Sequence, residues 1–240
     1  MSDRLIRDDK SLILAADMEP DNFQRFVEAT GDIEGISAYK LGISLSLSYL
    51  SLPRCVEIVY EQSNKLPIYD HQKGGTDIPE TGPIFARRMR QAGVEAAIIY
   101  PFTGPNVEEA WIKAMQNENV EPIVGAEMTH PNIAGDHGYI RDDAFKRMYA
   151  QAIELGVKNF GVPGNKPDMV RAYRSFFDTE LGEGEFDLFA LGFVSQGGSI
   201  IEADRVAGQR WHAVVGRGIF EERDVRQAAV EYTSQILRLM

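Results

Sequence analysis

Residues 92–99 read AGVEAAII, and residues 155–162 read LGVKNFGV. Each stretch joins the tail of an amphipathic pattern to a short apolar run through Gly-Val and one charged residue. Glycine at that point suits the left-handed residue that closes many helices. The run that follows is too short for a helix, and its mix of Ala, Ile, Val and Phe predicts a strand buried on both faces. A helix closed by glycine and then a buried strand, twice over, is the signature of a parallel α/β fold.

The same unit recurs along the chain. Strands are predicted at 12–16 (LILAA), 38–42 (AYKLG), 66–70 (LPIYD), 96–100 (AAIIY), 122–126 (PIVGA), 159–162 (NFGV), 187–191 (DLFAL) and 212–216 (HAVVG). Helical patterns lie between them: DNFQRFVEAT with Asp21 and Asn22 as candidate caps, IPETGPIFARRMRQAGV, PNVEEAWIKAMQNENV, RDDAFKRMYAQAIELGV, KPDMVRAYRSFF and DVRQAAVEYTSQILRLM. TELGEGEF (179–186) reads as a loop before the seventh strand. Eight strands in 240 residues predict a (β/α)8 barrel, whose typical length is roughly 250 residues. An open doubly wound sheet is the competing architecture, but no G-x-G-x-x-G follows the first strand. No linker or low-complexity tract divides the chain, so residues 1–240 are expected to form a single barrel domain.

Composition narrows the function. The net charge is −11, the wrong sign for non-specific nucleic-acid binding, and no basic patch compensates. No apolar run approaches the roughly 20 residues that span a bilayer, and the polar start MSDRLIRDDK is unlike a secretory signal. Cys55 is the sole cysteine; it excludes an intramolecular disulfide, fits a reducing cytoplasmic compartment and reads as a packing residue. His71, His130, His137 and His212 show no H-x-x-x-H spacing, so no metal site is expected. Trp111 and Trp211 read as packing residues.

Barrels of this kind carry their chemistry at the C-terminal ends of the strands. Here those ends are charged. Asp17 follows the first strand, Lys40 lies in the second, and the third runs into Asp70, Lys73 and Asp77. A lysine inside an apolar strand demands a partner, because unpaired buried lysines are rare. Thr129 follows the fifth strand. The last two loops, Gln196-Gly197-Gly198 and Gly216-Arg217, combine exposed backbone N–H groups with a side-chain amide and a guanidinium. That is the chemistry of a phosphate grip, and it sits where barrels commonly hold one.

The ordered set LILAADM, YKLG, DIPET, EMTHP, SQGG and VGRGIF resembles the orotidine 5'-phosphate decarboxylase family, particularly its compact archaeal type. The resemblance implies a homodimeric (β/α)8 barrel that converts orotidine 5'-phosphate (OMP) to UMP and carbon dioxide without a cofactor. It implies that Asp17 and Lys40 hold the ribose hydroxyls, with Lys40 also part of the catalytic array. Asp70 and Lys73 would be the catalytic acid–lysine pair. Asp77 would reach the neighbouring subunit's site, with Ile78 and Thr81 beside it. Thr129 would contact the pyrimidine, where the family has serine, and Gln196, Gly197, Gly216 and Arg217 would grip the phosphate.

One departure from the family is written in the spacing. The family has Asp-x-Lys-x-x-Asp, whereas this chain has Asp70-x-x-Lys73-x-x-x-Asp77. Residues i and i+3 of a strand face opposite ways, so a bulge or turn near His71–Gly75 is expected to return Lys73 to Asp70, helped by Gly74 and Gly75. Two further readings keep the barrel. One is a magnesium-dependent sugar-phosphate lyase or decarboxylase of the same suprafamily. The other is a non-catalytic nucleotide-binding relative with an altered Asp-Lys-Asp motif. Lys40 and EMTHP favour the pyrimidine enzyme.

Overall fold

In the computed structural model of the chain, which describes residues 4–71, 74–193 and 197–238, eight strands form a closed barrel. They are β1 (Lys10–Ala15), β2 (Ile36–Leu41), β3 (Leu66–Asp70), β4 (Ala96–Ile99), β5 (Glu121–Gly125), β6 (Asn159–Pro163), β7 (Asp187–Leu191) and β8 (Trp211–Val215). Neighbours pair in sequence order, and β8 returns to β1 with Leu14 opposite Val215. All the pairings are parallel. Every predicted strand is present, with ends shifted by no more than two residues.

The strand alternation sorts the side chains. Leu12, Leu14, Tyr39, Leu41, Val124, Phe160 and Ala213 face outward and pack beneath the helices. Ile13, Ala15, Ala38, Ile68, Ala96, Ile98, Ile123, Phe189 and Val214 fill the barrel. The N-terminal end is closed by Ile6, which joins the interior apolar cluster, and by a charged network beside it. Arg210 donates to Asp187 at 2.9 Å and to the carbonyl of Ile6 at 2.9 Å, and it also pairs with Asp9. His212 stands beside Asp187 at 3.2 Å and Ser11 at 2.8 Å, wholly buried. Arg210 thus holds the N-terminal segment against this end of the barrel.

The helices also follow the sequence patterns, with corrections. The first, Pro20–Thr30, has Glu19 as its N-cap and Pro20 in its first turn, so neither Asp21 nor Asn22 caps it. Proline suits that position because its missing N–H is not needed there. The helix Pro167–Leu181 takes in the first three residues of the predicted 179–186 loop. Among the described residues, four α-helices were absent from the periodic readings: the short Ile43–Ser46 and the longer Ser51–Gln62 after β2, Ile200–Ala207 after β7, and the short Arg217–Phe220 after β8. Gly93 and Gly156 adopt φ of 79° and 83°, the left-handed helix ends expected of them. Cys55 is buried in Ser51–Gln62, and burial pushes its thiol up to about 11, an unreactive packing residue. Trp111 and Trp211 are likewise buried.

Candidate active site

The C-terminal mouth of the barrel opens into a cavity of about 310 Å³, within the range of small-molecule sites. Lys40 forms its floor. The alternation of β2 turns this side chain inward, and the parallel register sets it opposite Ala15 on β1 and Ile68 on β3. Asp70 lies two residues beyond Ile68 on the same face. The ammonium of Lys40 donates to Asp17 Oδ2 at 2.9 Å and to Asp70 Oδ2 at 3.0 Å. Lys40 and Asp70 are each only 4% exposed. Burial pushes the Lys40 pKa down, but the Asp70 and Asp17 carboxylates outweigh it and hold the value above that of a free lysine. The lysine is a fixed cation clamped between two acids.

Thr129 and Met128, beyond β5, line the second side of the cavity, and Gly216 and Arg217, beyond β8, line a third. Arg217 forms no ion pair among the described residues. Gly192 and Phe193 extend the wall after β7. A methyl group on Gly198 would stand 2.8 Å from the carbonyl of Gly192 and 3.0 Å from the Phe193 ring, so glycine is needed to close that loop. Gly197, at φ 84°, is exposed with open space around it.

Asp17, Lys40, Asp70, Thr129, Gly216 and Arg217 thus meet around one cavity. Asp77, Ile78 and Thr81 do not line it. They lie on an exposed shelf; Asp77 accepts from the Ile78 N–H at 2.8 Å, Thr81 donates to the Ile78 carbonyl at 2.8 Å, and Ile78 is 56% exposed. Asp77 caps neither the 3-10 turn Pro79–Thr81 nor the helix Gly82–Gln91. Lys73 and Gln196 lie outside the described residues. The expected return of Lys73 to Asp70 therefore lies outside the described residues too; after Lys73, Gly74 and Gly75 form a turn, Gly75 has φ 87°, and the Gly74 carbonyl accepts the N–H of Tyr100 at 2.5 Å. Glycine is required there, because positive φ strains other residues.

The strand-end reading passed over several residues that shape the site. Glu127 accepts from Lys166 at 2.9 Å and from Tyr173 at 2.6 Å, while Lys166 also donates to the Met128 carbonyl at 2.8 Å. Asn165 donates to the Thr129 carbonyl at 3.1 Å. These bonds fix the loop that presents Thr129. Tyr100, also on the cavity wall, was the last residue of a predicted strand, and its position alone could have singled it out.

No family model matches the sequence. The orotidine 5'-phosphate decarboxylase of Pyrococcus abyssi is 32% identical over 164 residues, covering 67% of this chain and 69% of the relative. The chain belongs to the orotidine 5'-phosphate decarboxylase family. The decarboxylase of Methanosarcina barkeri is 27% identical over 227 residues and 94% of each sequence, so the likeness to this family runs nearly end to end. Among solved structures, the decarboxylase of Methanocaldococcus jannaschii complexed with the inhibitor BMP superposes with a TM-score of 0.80 at 23% identity, over 95% of this chain and 98% of that one. The enzyme of Pyrococcus horikoshii gives 0.75 at 23% identity, over 94% and 99%. Those two likenesses establish a shared barrel.

Proposed function

We propose that this barrel is an orotidine 5'-phosphate decarboxylase that converts OMP to UMP and carbon dioxide, the last step of UMP biosynthesis. The observation that carries the reading is the buried Asp17–Lys40–Asp70 array on the floor of the cavity, with Arg217, which forms no ion pair among the described residues, on its rim. A nucleoside monophosphate needs both ends: polar groups for ribose and base, and a cation with N–H donors for phosphate.

The chemistry follows from the charges. Cleavage of the bond between C6 and the carboxylate leaves its electron pair on C6 and releases carbon dioxide. The pyrimidine delocalises that pair poorly, so a cation close to C6 lowers the barrier directly. On this reading Lys73 is that cation, and it then donates its proton to C6. Asp70 keeps Lys73 protonated, while Lys40 anchors Asp70 and Asp17 for the ribose hydroxyls. Thr129 contacts the pyrimidine. Gln196, Gly197, Gly216 and Arg217 bind the phosphate, whose binding energy, remote from the breaking bond, is available to the transition state. No cofactor takes part.

The metal-dependent alternative is less well supported, because Asp17 and Asp70, the carboxylates that would attract a divalent cation at this floor, already share the Lys40 ammonium. Activity on OMP in the presence of EDTA distinguishes the two. UMP should accumulate undiminished; loss of turnover on chelation would favour the magnesium enzyme, and UMP binding without turnover would favour the non-catalytic relative.

The active form is a homodimer on the same reading, with Asp77 completing the neighbour's site. The exposure of Asp77, Ile78 and the nearby Ile84, 59% exposed, supports this. Mixed dimers of Asp77→Asn and Lys73→Ala chains each contain one site with both native residues and should regain activity; formed heterodimers without activity would overturn the shared site. The reaction is assigned to the cytoplasm, consistent with a buried, unpaired Cys55. Among the described residues, no helix is long and apolar enough to cross a membrane.

A further inference from the structure

Tyr100 follows β4 and is only 3% exposed, yet it lines the cavity beside Asp70, Lys40 and Met128. Its ring reaches across to β5. A methyl group on Gly125 would stand 2.5 Å from Tyr100 Cζ and 2.9 Å from its hydroxyl oxygen, so no side chain fits there while the ring keeps its position. Gly161, the ladder partner of Gly125 on β6, continues the gap; a methyl group on it would approach Gly125 Cα to 3.3 Å. Two adjoining inward positions therefore carry no side chain; the phenol occupies the room over Gly125, and Leu191 Cδ1 lies 3.6 Å from where a methyl group on Gly161 would stand. The ring is backed by Phe102, with centroids 5.6 Å apart, and Tyr100 N–H is tied to the Gly74 carbonyl. Burial, with the Asp70 charge adding to it, holds the phenol well above its ordinary pKa, so the group is neutral.

Position in the barrel says what this ring meets. Asp70 ends β3, Tyr100 follows β4 and Thr129 follows β5, so the phenol lies between the acid of the reacting end and the residue assigned to the base. We infer that Tyr100 is a specificity-determining residue: its ring, seated over Gly125, sets the depth of the cavity where the pyrimidine of a nucleoside monophosphate rests, and it rejects bases with larger substituents. The inference depends on the decarboxylase reading for the identity of the ligand. It deepens that reading by naming which wall limits the base.

Calorimetric titration tests it with three probes: UMP, 5-iodo-UMP and 6-ethyl-UMP. Tyr100→Ala and Tyr100→Leu should each bind at least one of the substituted nucleotides about tenfold better, relative to UMP, than the parent does. Tyr100→Phe keeps the ring and should keep the parent's ratios. Gly125→Ala drives the ring into the cavity and should weaken UMP at least about tenfold. If folded Tyr100→Ala or Tyr100→Leu protein binds all three probes in the parent's ratios, the inference is overturned while the decarboxylase reading stands. If the parent itself fails to bind UMP, the decarboxylase reading falls and takes this inference with it.

Discussion

The ammonium of Lys40 stands 3.0 Å from Asp70 Oδ2, and both side chains are 5% exposed. Such a pair costs desolvation energy that its own attraction only partly returns, so its removal from one side is severe. Lys40→Met would leave Asp70 and Asp17 without their shared cation. We expect it to lower stability by about 3–5 kcal/mol and to abolish turnover. Urea unfolding at neutral pH measures the first effect and an OMP assay the second.

Arg217 marks the phosphate end. Arg217→Ala should weaken UMP by about 2–3 kcal/mol, the scale of a lost charge-assisted contact. Uridine should bind parent and variant alike. Equal UMP affinity for both proteins would move the grip elsewhere.

Glu108 offers a pH signature far from the proposed reaction. Its side chain is 2% exposed, and Oε1 has no hydrogen-bond partner among the described residues. Burial raises its pKa from 4.5 to about 8. The folded state therefore holds a proton that the unfolded chain has released between those values, and stability falls as pH rises through that window. The slope is at most about 1.4 kcal/mol per pH unit. Glu108→Met should match the parent's slope below the window and lose the decline within it, ending more stable at pH 8. A stability difference between the two proteins that is constant from pH 5 to 8 would contradict the assignment.

The Glu127 clamp is testable through Tyr173. Tyr173→Phe removes a 2.6 Å bond to a carboxylate and should cost about 1.5–3 kcal/mol. Because the clamp holds the Thr129 loop, the variant should raise KM for OMP more than it lowers kcat.

The strands were legible because they are short buried runs, most of them closed by a charged residue or a glycine, as in LPIYD and HAVVG. The helix Ser51–Gln62 was not, because SLSLSYLSLP (44–53), which runs into its first turn, alternates serine and leucine at a two-residue period and hides the helical one. Lys40 announced itself as a charge in an apolar strand. Its two acids could be named from their strand ends, but their convergence on one ammonium is set by the register of β1 and β3 on either side of β2. The Glu127–Lys166–Tyr173 bonds link residues 39 and 46 positions apart, and no local pattern records them. Tyr100 reads as one more aromatic strand residue until Gly125 is set opposite it.

The most direct test of the proposed reaction is incubation of carboxyl-labelled OMP with the purified protein in deuterated water. The account predicts labelled carbon dioxide and UMP in equal amounts, with deuterium at C6 of the UMP, and the loss of nearly all of this in Lys73→Ala while UMP still binds. UMP bound by the parent protein with no carbon dioxide above the uncatalysed background would contradict it.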